Sequence, residues 1–582
     1  MDSRPDPQRR PSSHARPGLL TLLLAPSLLL ATVAWAASPP ATRGEEAMVV
    51  SPDRHATAIG LATLRAGGNA VDAAVAVTFA LGVTYPLAGP IGGGGFALYR
   101  TPDGEAHALD FREVAPARLR AELFLDEEGR PIPGLSVDGG LAVGVPGTVA
   151  GLAEAHRRWG ALPWEDLVRP AVELAAGGFE VSPFLALTLE RQHQRLAADA
   201  EAREIFLRQG RPLAAGARLV QTDLAATLDT VARQGAAGFY GGPVASALVA
   251  ALERAGGVME ASDLERYRPV LRAPLYGSYR GRRVICFPPP SSGGVALLQI
   301  LGMLERHDLR AAGFGSSLAI HLIAEAERRA FADRSRWLGD PDFAQVPVEA
   351  LLDPDYLTER AAGIRPRRAT PSRKIAPGEM PVTIEAGETL HLVTADAAGG
   401  AVSLTATLNG WFGSAMVAAG TGVLLNNEMD DFALAPGVPN LYGLLGGKAN
   451  AVEPRKRPLS SMSPTIIERA EAGGRPLLVL GSPGGSTIIS TVAQVLINVV
   501  DHELPLQAAV DAPRFHHQWQ PDRIFHEPRA FSDDVVRALR ERGHDLRELT
   551  RFQGNANAIG LAPDGAWLGA ADPRRQGAAA GY

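Results

Sequence analysis

A single cysteine, Cys286, stands in 582 residues. No disulfide can form within the chain, and thiolates cannot build a zinc or iron–sulfur site. Charge in excess is also lacking: 57 Lys and Arg against 63 Asp and Glu leave −6, without the basic surplus of a chain that grips nucleic acid. Aromatic residues make up only 6% and charged residues 21%, while the hydrophobic fraction is 46% and the mean hydropathy +0.01. These are globular values and argue against disorder over most of the length. Long apolar runs are missing too. The one run near the start, residues 18–33, is short for a bilayer span of about 20 residues. Arg4, Arg9, Arg10 and Arg16 precede it, and Ala34-Trp35-Ala36 places small residues where a signal peptidase cuts. Residues 1–36 are therefore expected to be a signal peptide, and the remainder an exported protein, periplasmic or secreted, with no stable membrane anchor. A large globular enzyme is the default expectation.

The body of the chain has a legible texture. Residues 55–66 read as a helix ended by Gly67 and Gly68, and Asn69 caps a second helix over 70–82 whose only charge is Asp72. A helix so evenly apolar, and too short to span a membrane, is expected to be buried all round. A strand pair is expected at 96–100 and 106–110, and mostly helix from 145 to 340 with one strand at 282–287. Residues 364–387, rich in Pro and charge, read as a mobile surface segment. Beyond it come two hairpins, 390–395 with 401–408 and 463–469 with 476–480, then a helix over 487–500. Helices before and strands after imply an α+β layered architecture.

Several motifs carry candidate chemistry. Gly92-Gly93-Gly94-Gly95 lacks the following Gly-Lys-Ser/Thr of a phosphate loop and precedes a strand, so close backbone packing is its reading. His516-His517 has no carboxylate at ligand spacing and reads as structural; no metal or other cofactor is implied. The turn G-S-P-G-G-S (481–486) lies between a strand and a helix. Its amides could stabilise an oxyanion, or it could be a plain connection. Thr389 begins a strand after the Pro-rich segment. A threonine at a chain's N-terminus carries its own base, an α-amine with a pKa of about 7.7–8.0. For Thr389 this requires cleavage of the Glu388–Thr389 bond; otherwise it is an ordinary strand former.

Taken together, A-G-G-N-A-V-D-A-A-V-A-V (66–77), G-G-G-G-F (92–96), L-D-F-R-E (109–113), P-S-S-G-G (290–294), L-N-G-W-F-G-S (408–414), G-V-L-L-N-N-E-M-D-D-F (422–432), K-R-P-L-S-S-M-S-P-T (456–465), G-S-P-G-G-S (481–486) and A-D-P-R-R-Q-G-A-A-A-G-Y (571–582) resemble the γ-glutamyltranspeptidase family, in family order and over nearly all of the chain after residue 45. The resemblance implies an N-terminal-nucleophile hydrolase with an αββα four-layer sandwich. It would be made as one precursor that cuts itself into a large chain, 37–388, and a small catalytic chain, 389–582, which together form one globular domain as a heterodimer.

The resemblance also implies roles. Thr389 would take the γ-glutamyl group of glutathione or a related donor, and water, an amino acid or a dipeptide would release it. Thr407 would orient the nucleophile, and Gly484 and Gly485 would receive the oxyanion. Arg112, helped by Ser460 and Ser461, would clamp the donor's α-carboxylate, while Asn409, Glu428 and Asp431 gather its α-ammonium. Tyr442 would belong to a lid over the site. One departure stands out: Leu390 replaces the hydroxyl residue that family members usually carry after the nucleophile. Successive strand residues face opposite sides, so Leu390 is expected to point away from the substrate. The alternatives are a related β-lactam side-chain (glutaryl) acylase, which need not hold an α-ammonium, and an unprocessed binding homologue.

Overall fold

The backbone is organised around two antiparallel sheets of seven strands each. The structure is a computed structural model that describes residues 38–375, 389–435, 437–469 and 474–582. The expected signal peptide and Glu388 lie outside those residues. In chain order the strands of the two sheets are β1 (Thr42–Gly44), β2 (Met48–Ser51), β3 (Gly94–Arg100), β4 (Ala106–Phe111), β5 (Val270–Arg272), β6 (Leu275–Tyr279), β7 (Arg282–Cys286), β8 (Thr389–Ala395), β9 (Ala401–Thr407), β10 (Thr465–Arg469), β11 (Leu478–Gly481), β12 (Asn557–Leu561), β13 (Trp567–Ala571) and β14 (Ala578–Gly581). One sheet runs β14-β2-β8-β9-β3-β4-β5, and the other β1-β13-β12-β11-β10-β7-β6.

Alternation along β8 and β9 explains the layering. Leu390, Leu392, Val402, Leu404 and Ala406 pack into one cluster with α1 (Arg54–Arg65) and α2 (Ala70–Thr84), whereas Val393, Ala395 and Ala401 face the second sheet. That second sheet is covered in turn by α3 (Gly293–Leu304), α4 (Ser317–Trp337) and α5 (Thr487–Val500). The result is helix, sheet, sheet, helix, the expected αββα sandwich, with Pro40–Tyr582 as one compact unit. All fifteen residues of α2 are buried, as its composition implied. Its lone charge is not wasted: the Asp72 carboxylate accepts the Asn69 amide at 3.0 Å in a capping box, and the Ala161 amide at 3.0 Å. Among the described residues no single helix is long and apolar enough to cross a membrane.

Two expectations need correction. The strand expected at 282–287 is present as β7, but it is not the lone strand of a helical stretch: it is the second arm of a hairpin with β6, turned by Arg280 and Gly281 at φ 50° and 70°. A Tyr-Arg-Gly-Arg turn lacks the usual Asn or Asp signal. The segment read as surface from 364 onward is instead tied down as far as Ile375; Ile364, Ala369, Ser372 and Ile375 are buried. Ser372 donates its amide to Asp522 at 2.7 Å and accepts from Arg328 at 2.8 Å, and the Trp519 indole donates to its carbonyl at 3.1 Å. Those partners are remote in sequence, so local composition could not reveal them. Residues 376–388 lie outside the described part.

Candidate active site

Thr389 is the first residue of β8 and pairs with Thr407, the last of β9. The two hydroxyls stand 3.4 Å apart, and Thr407 Oγ1 accepts the Asn409 amide at 2.8 Å. Their strands can sit this deep because the glycine run lets backbone touch backbone. A Cβ on Gly93 would lie 1.9 Å from the Thr407 carbonyl oxygen, and one on Gly95 would lie 2.3 Å from that of Thr405. Close packing is thus the role of residues 92–95, as expected. Leu390 is fully buried on the α2 side, away from the Thr389 cleft.

That cleft is lined by Arg112, Thr389, Thr407, Asn409, Glu428, Asp431, Tyr442, Ser460, Ser461, Met462, Gly485 and Ile488. All but two of the residues singled out from the sequence therefore meet in one place. Glu388 is outside the described residues, and Gly484 lines the larger neighbouring cavity instead, with the two glycines forming the wall between them. Gly484 and Gly485 have φ of 133° and 57°, and among the described residues neither amide is spent on another acceptor. The turn joins β11 to α5, so both amides sit at the positive end of that helix. A Cβ on Gly485 would come within 2.4 Å of the Tyr442 ring, and the Tyr442 hydroxyl donates to the Asn409 carbonyl at 2.7 Å.

The charged groups are arranged differently from their separate expectations. Arg112 is buried and bonded to both Glu428 and Asp431, the latter at 2.6 Å, with Glu113 at 3.6 Å. Burial works against its charge, but the three carboxylates outweigh burial and hold its pKa above the ordinary value. Burial pushes Glu113 up to about 7 and raises Glu428 and Asp431, with Arg112 opposing in each case. The negative charge of Glu113 adds to the upward push on Glu428. Among the described residues, no N–H donor from another group reaches either Glu113 oxygen or Glu428 Oε2. One guanidinium faces three acids, which leaves the spot poised to accept another cation.

Glu113, Arg334 and His391 escaped the sequence reading. Glu113 lies in the quoted L-D-F-R-E motif, but nothing in its spacing ties it to Glu428. His391, two residues from Thr389, shares a proton with the Thr405 hydroxyl at 2.9 Å, and burial pulls its pKa down to about 3. It is neutral at working pH. His516 is occupied as a structural residue, hydrogen-bonded to Ser490 at 2.6 Å and Gln518 at 2.8 Å.

A threonine opening a central strand of an αββα sandwich, beside a glycine turn at a helix N-terminus, defines the class: an N-terminal-nucleophile hydrolase. The particular family follows from comparison. A protein-family model for gamma-glutamyltranspeptidase matches residues 56–582. The glutathione hydrolase proenzyme of Escherichia coli (strain K12) is 46% identical over 533 residues, 91% of either chain. The glutathione hydrolase proenzyme of Pseudomonas aeruginosa is 43% identical, covering 95% of this chain and 97% of that one, and an acylase ACY 1 proenzyme from Pseudomonas sp. (strain V22) is 39% identical, covering 92% and 94%. Among solved structures, a cephalosporin acylase from Bacillus halodurans superposes with TM-score 0.81 at 28% identity over 96% of this chain and 99% of that one. Helicobacter pylori gamma-glutamyltranspeptidase gives 0.55 at 44% identity, over 56% of this chain and 93% of that one. The chain belongs to the gamma-glutamyltranspeptidase family, and is an autoprocessing γ-glutamyl hydrolase/transferase.

Proposed function

We propose that the enzyme takes the γ-glutamyl group from glutathione and related donors and passes it to water, amino acids or dipeptides, after export and removal of residues 1–36. Cleavage of the Glu388–Thr389 bond frees the Thr389 α-amine. That amine takes the hydroxyl proton as Oγ1 attacks the γ-carbonyl carbon, and hands it to the leaving nitrogen as the amide bond breaks. Gly485, with Gly484 beside it, receives the oxyanion, and Thr407 orients Oγ1. The resulting ester is resolved when water or an amine attacks, returning the proton to Thr389. Ser460 and Ser461 hydroxyls and Arg112 hold the α-carboxylate, while Glu428, Asp431 and Asn409 receive the α-ammonium. Tyr442 closes the donor end. The leaving amine departs, and an acceptor arrives, through the cavity lined by Phe184, Trp411, Gly484, Phe552 and Arg575.

The observation that carries this reading is the single cleft shared by Thr389 and an acid-rich set around Arg112. Purified protein assayed with glutathione, with and without a dipeptide acceptor, tests it. Release of glutamate alone, rising to γ-glutamyl dipeptide when acceptor is added, is the expected result. The acylase reading is favoured by the relative at 39% identity and by the 0.81 superposition, and needs no ammonium site; inertness toward glutathione with turnover of a glutaryl amide would establish it.

A further inference from the structure

The P-S-S-G-G motif (290–294) leads from β7 into α3. It packs directly against the serine pair of the cleft. Ser292 donates its amide to the Ser460 carbonyl at 2.7 Å and its hydroxyl to the same oxygen at 2.6 Å, and Ser460 donates its amide to the Pro290 carbonyl at 3.0 Å. Behind this contact lies Arg334 of α4, buried to 5% exposure. Its Nε donates to Ser292 Oγ at 2.9 Å and its Nη2 to Ser461 Oγ at 3.2 Å.

A guanidinium can only donate. Ser461 Oγ must therefore accept from Arg334, and its own proton is turned away from Arg334. Ser460 Oγ likewise accepts, from the Met462 amide at 3.1 Å, so its proton too is free to point outward. Both serines line the Thr389 cleft. Each oxygen already accepts one protein donor, and each hydroxyl proton is left to be given outward, which is what an incoming carboxylate requires. No carboxylate lies within ion-pair distance of Arg334 among the described residues, and burial pulls its pKa to about 10, opposed only by Asp431. Arg112 has spent two of its donors on Glu428 and Asp431. The positive charge left uncompensated beside the serines belongs to Arg334.

We propose that Arg334 is a positioning residue for donor recognition: from behind Ser292 and Ser461 it sets the serine hydroxyls as donors and supplies the balancing charge for the substrate's α-carboxylate. This rests on the γ-glutamyl reading above. The test compares processed enzyme on γ-glutamyl-p-nitroanilide and on 4-aminobutanoyl-p-nitroanilide, which keeps the ammonium and lacks only the carboxylate. Wild type should favour the first substrate strongly; equal rates in the wild type would sink the γ-glutamyl reading and this proposal with it. With the wild-type preference in hand, Arg334→Met should shrink it by about 10- to 100-fold, through KM for the γ-glutamyl substrate, and leave kcat/KM for the 4-aminobutanoyl substrate within about threefold. Ser461→Ala added to Arg334→Met should cost little more, because both act on one contact. Arg334→Lys keeps the charge but not the two-point fork, and should shrink the preference by at least about threefold; it serves if the Met variant does not fold. An unchanged preference in either variant, or a parallel fall on both substrates, would overturn the proposal and leave Arg334 a structural residue.

Discussion

Thr389 and Thr407 face each other across the first rung of the β8–β9 ladder, their hydroxyls 3.4 Å apart. The second threonine has no acid or base of its own to offer. What it holds is direction: its oxygen accepts the Asn409 amide at 2.8 Å, and so it presents a fixed dipole to the nucleophile. Thr389→Ala should remain one chain without activity, since no hydroxyl is left to attack the preceding carbonyl. Thr407→Val, nearly the same shape, should still process, though more slowly, and should lose about 10- to 100-fold in kcat with little change in KM. A denaturing gel and steady-state kinetics measure both. A wild-type enzyme that hydrolyses a γ-glutamyl anilide while still a single chain would end the N-terminal-amine mechanism.

On the proposed function Arg112 has two tasks, and they separate experimentally. It would meet the donor's carboxylate, and it neutralises Glu428 and Asp431 inside the fold. Arg112→Met should raise KM strongly without blocking processing. Removing one partner of a buried ion pair costs about 3–5 kcal/mol, so the variant should also melt earlier. The sign of its pH dependence follows from burial: unpaired Glu428 and Asp431 have folded pKa values above their unfolded ones. Stability is then retained where they are protonated and lost as pH rises through the raised values. The deficit against wild type should be largest near pH 8 and narrow toward pH 5 in thermal melts. A deficit independent of pH would show that the carboxylates do not depend on Arg112.

Much of this arrangement was legible in the sequence, for reasons that can be named. Asp396 to Gly400 marks the β8–β9 hairpin, Asn69 marks the start of α2, and the glycines after β11 mark a strand-to-helix turn that borders the Thr389 cleft. Each signal is local. What could not be read is pairing at a distance: Arg112 meets Glu428 and Asp431 across 316 and 319 residues, and Ser372 meets Asp522 across 150. In the sequence Arg334 is one charge among several on a long helix, and only the fold sets Ser292 and Ser461 against it. Burial of polar groups by remote partners is the one property that composition and periodicity do not encode.

Glu327 offers a test of the buried interior away from the cleft. Its Oε2 accepts the His517 amide at 2.9 Å, yet burial outweighs that bond and pushes the carboxyl up to about 8 from 4.5. Below pH about 4.5 both folded and unfolded chains hold this proton. Between there and about 8 only the folded chain does, so stability is lost as pH rises, at about 1.4 kcal/mol per pH unit for this group. Glu327→Gln cannot ionise. Measured in the Thr389→Ala background, to avoid dissociation of processed chains, its melting temperature relative to the parent should rise steadily from pH 5 to 8. A constant offset across that range would mean that Glu327 is ionised throughout.

The last prediction separates the γ-glutamyl enzyme from the acylase. A glutaryl anilide differs from the γ-glutamyl anilide only in lacking the α-amino group. Asp431 is held by Arg112 at 2.6 Å and by the Asn440 side-chain amide at 2.9 Å, and among the described residues no N–H reaches Glu428 Oε2. An ammonium arriving there gains two carboxylates and relieves their crowding around one guanidinium; a neutral CH₂ gains nothing and buries them further. Sites built for a polar group commonly reject an analogue lacking it by about 10⁴–10⁵. Here Arg112 already compensates part of the charge, so at least roughly a hundredfold preference in kcat/KM is expected. Asp431→Asn should narrow that gap mainly by slowing the γ-glutamyl substrate, since the glutaryl substrate never used the charge. Equal rates on both anilides would mean that the acids serve Arg112 alone, and the enzyme would then be an acylase that happens to keep them.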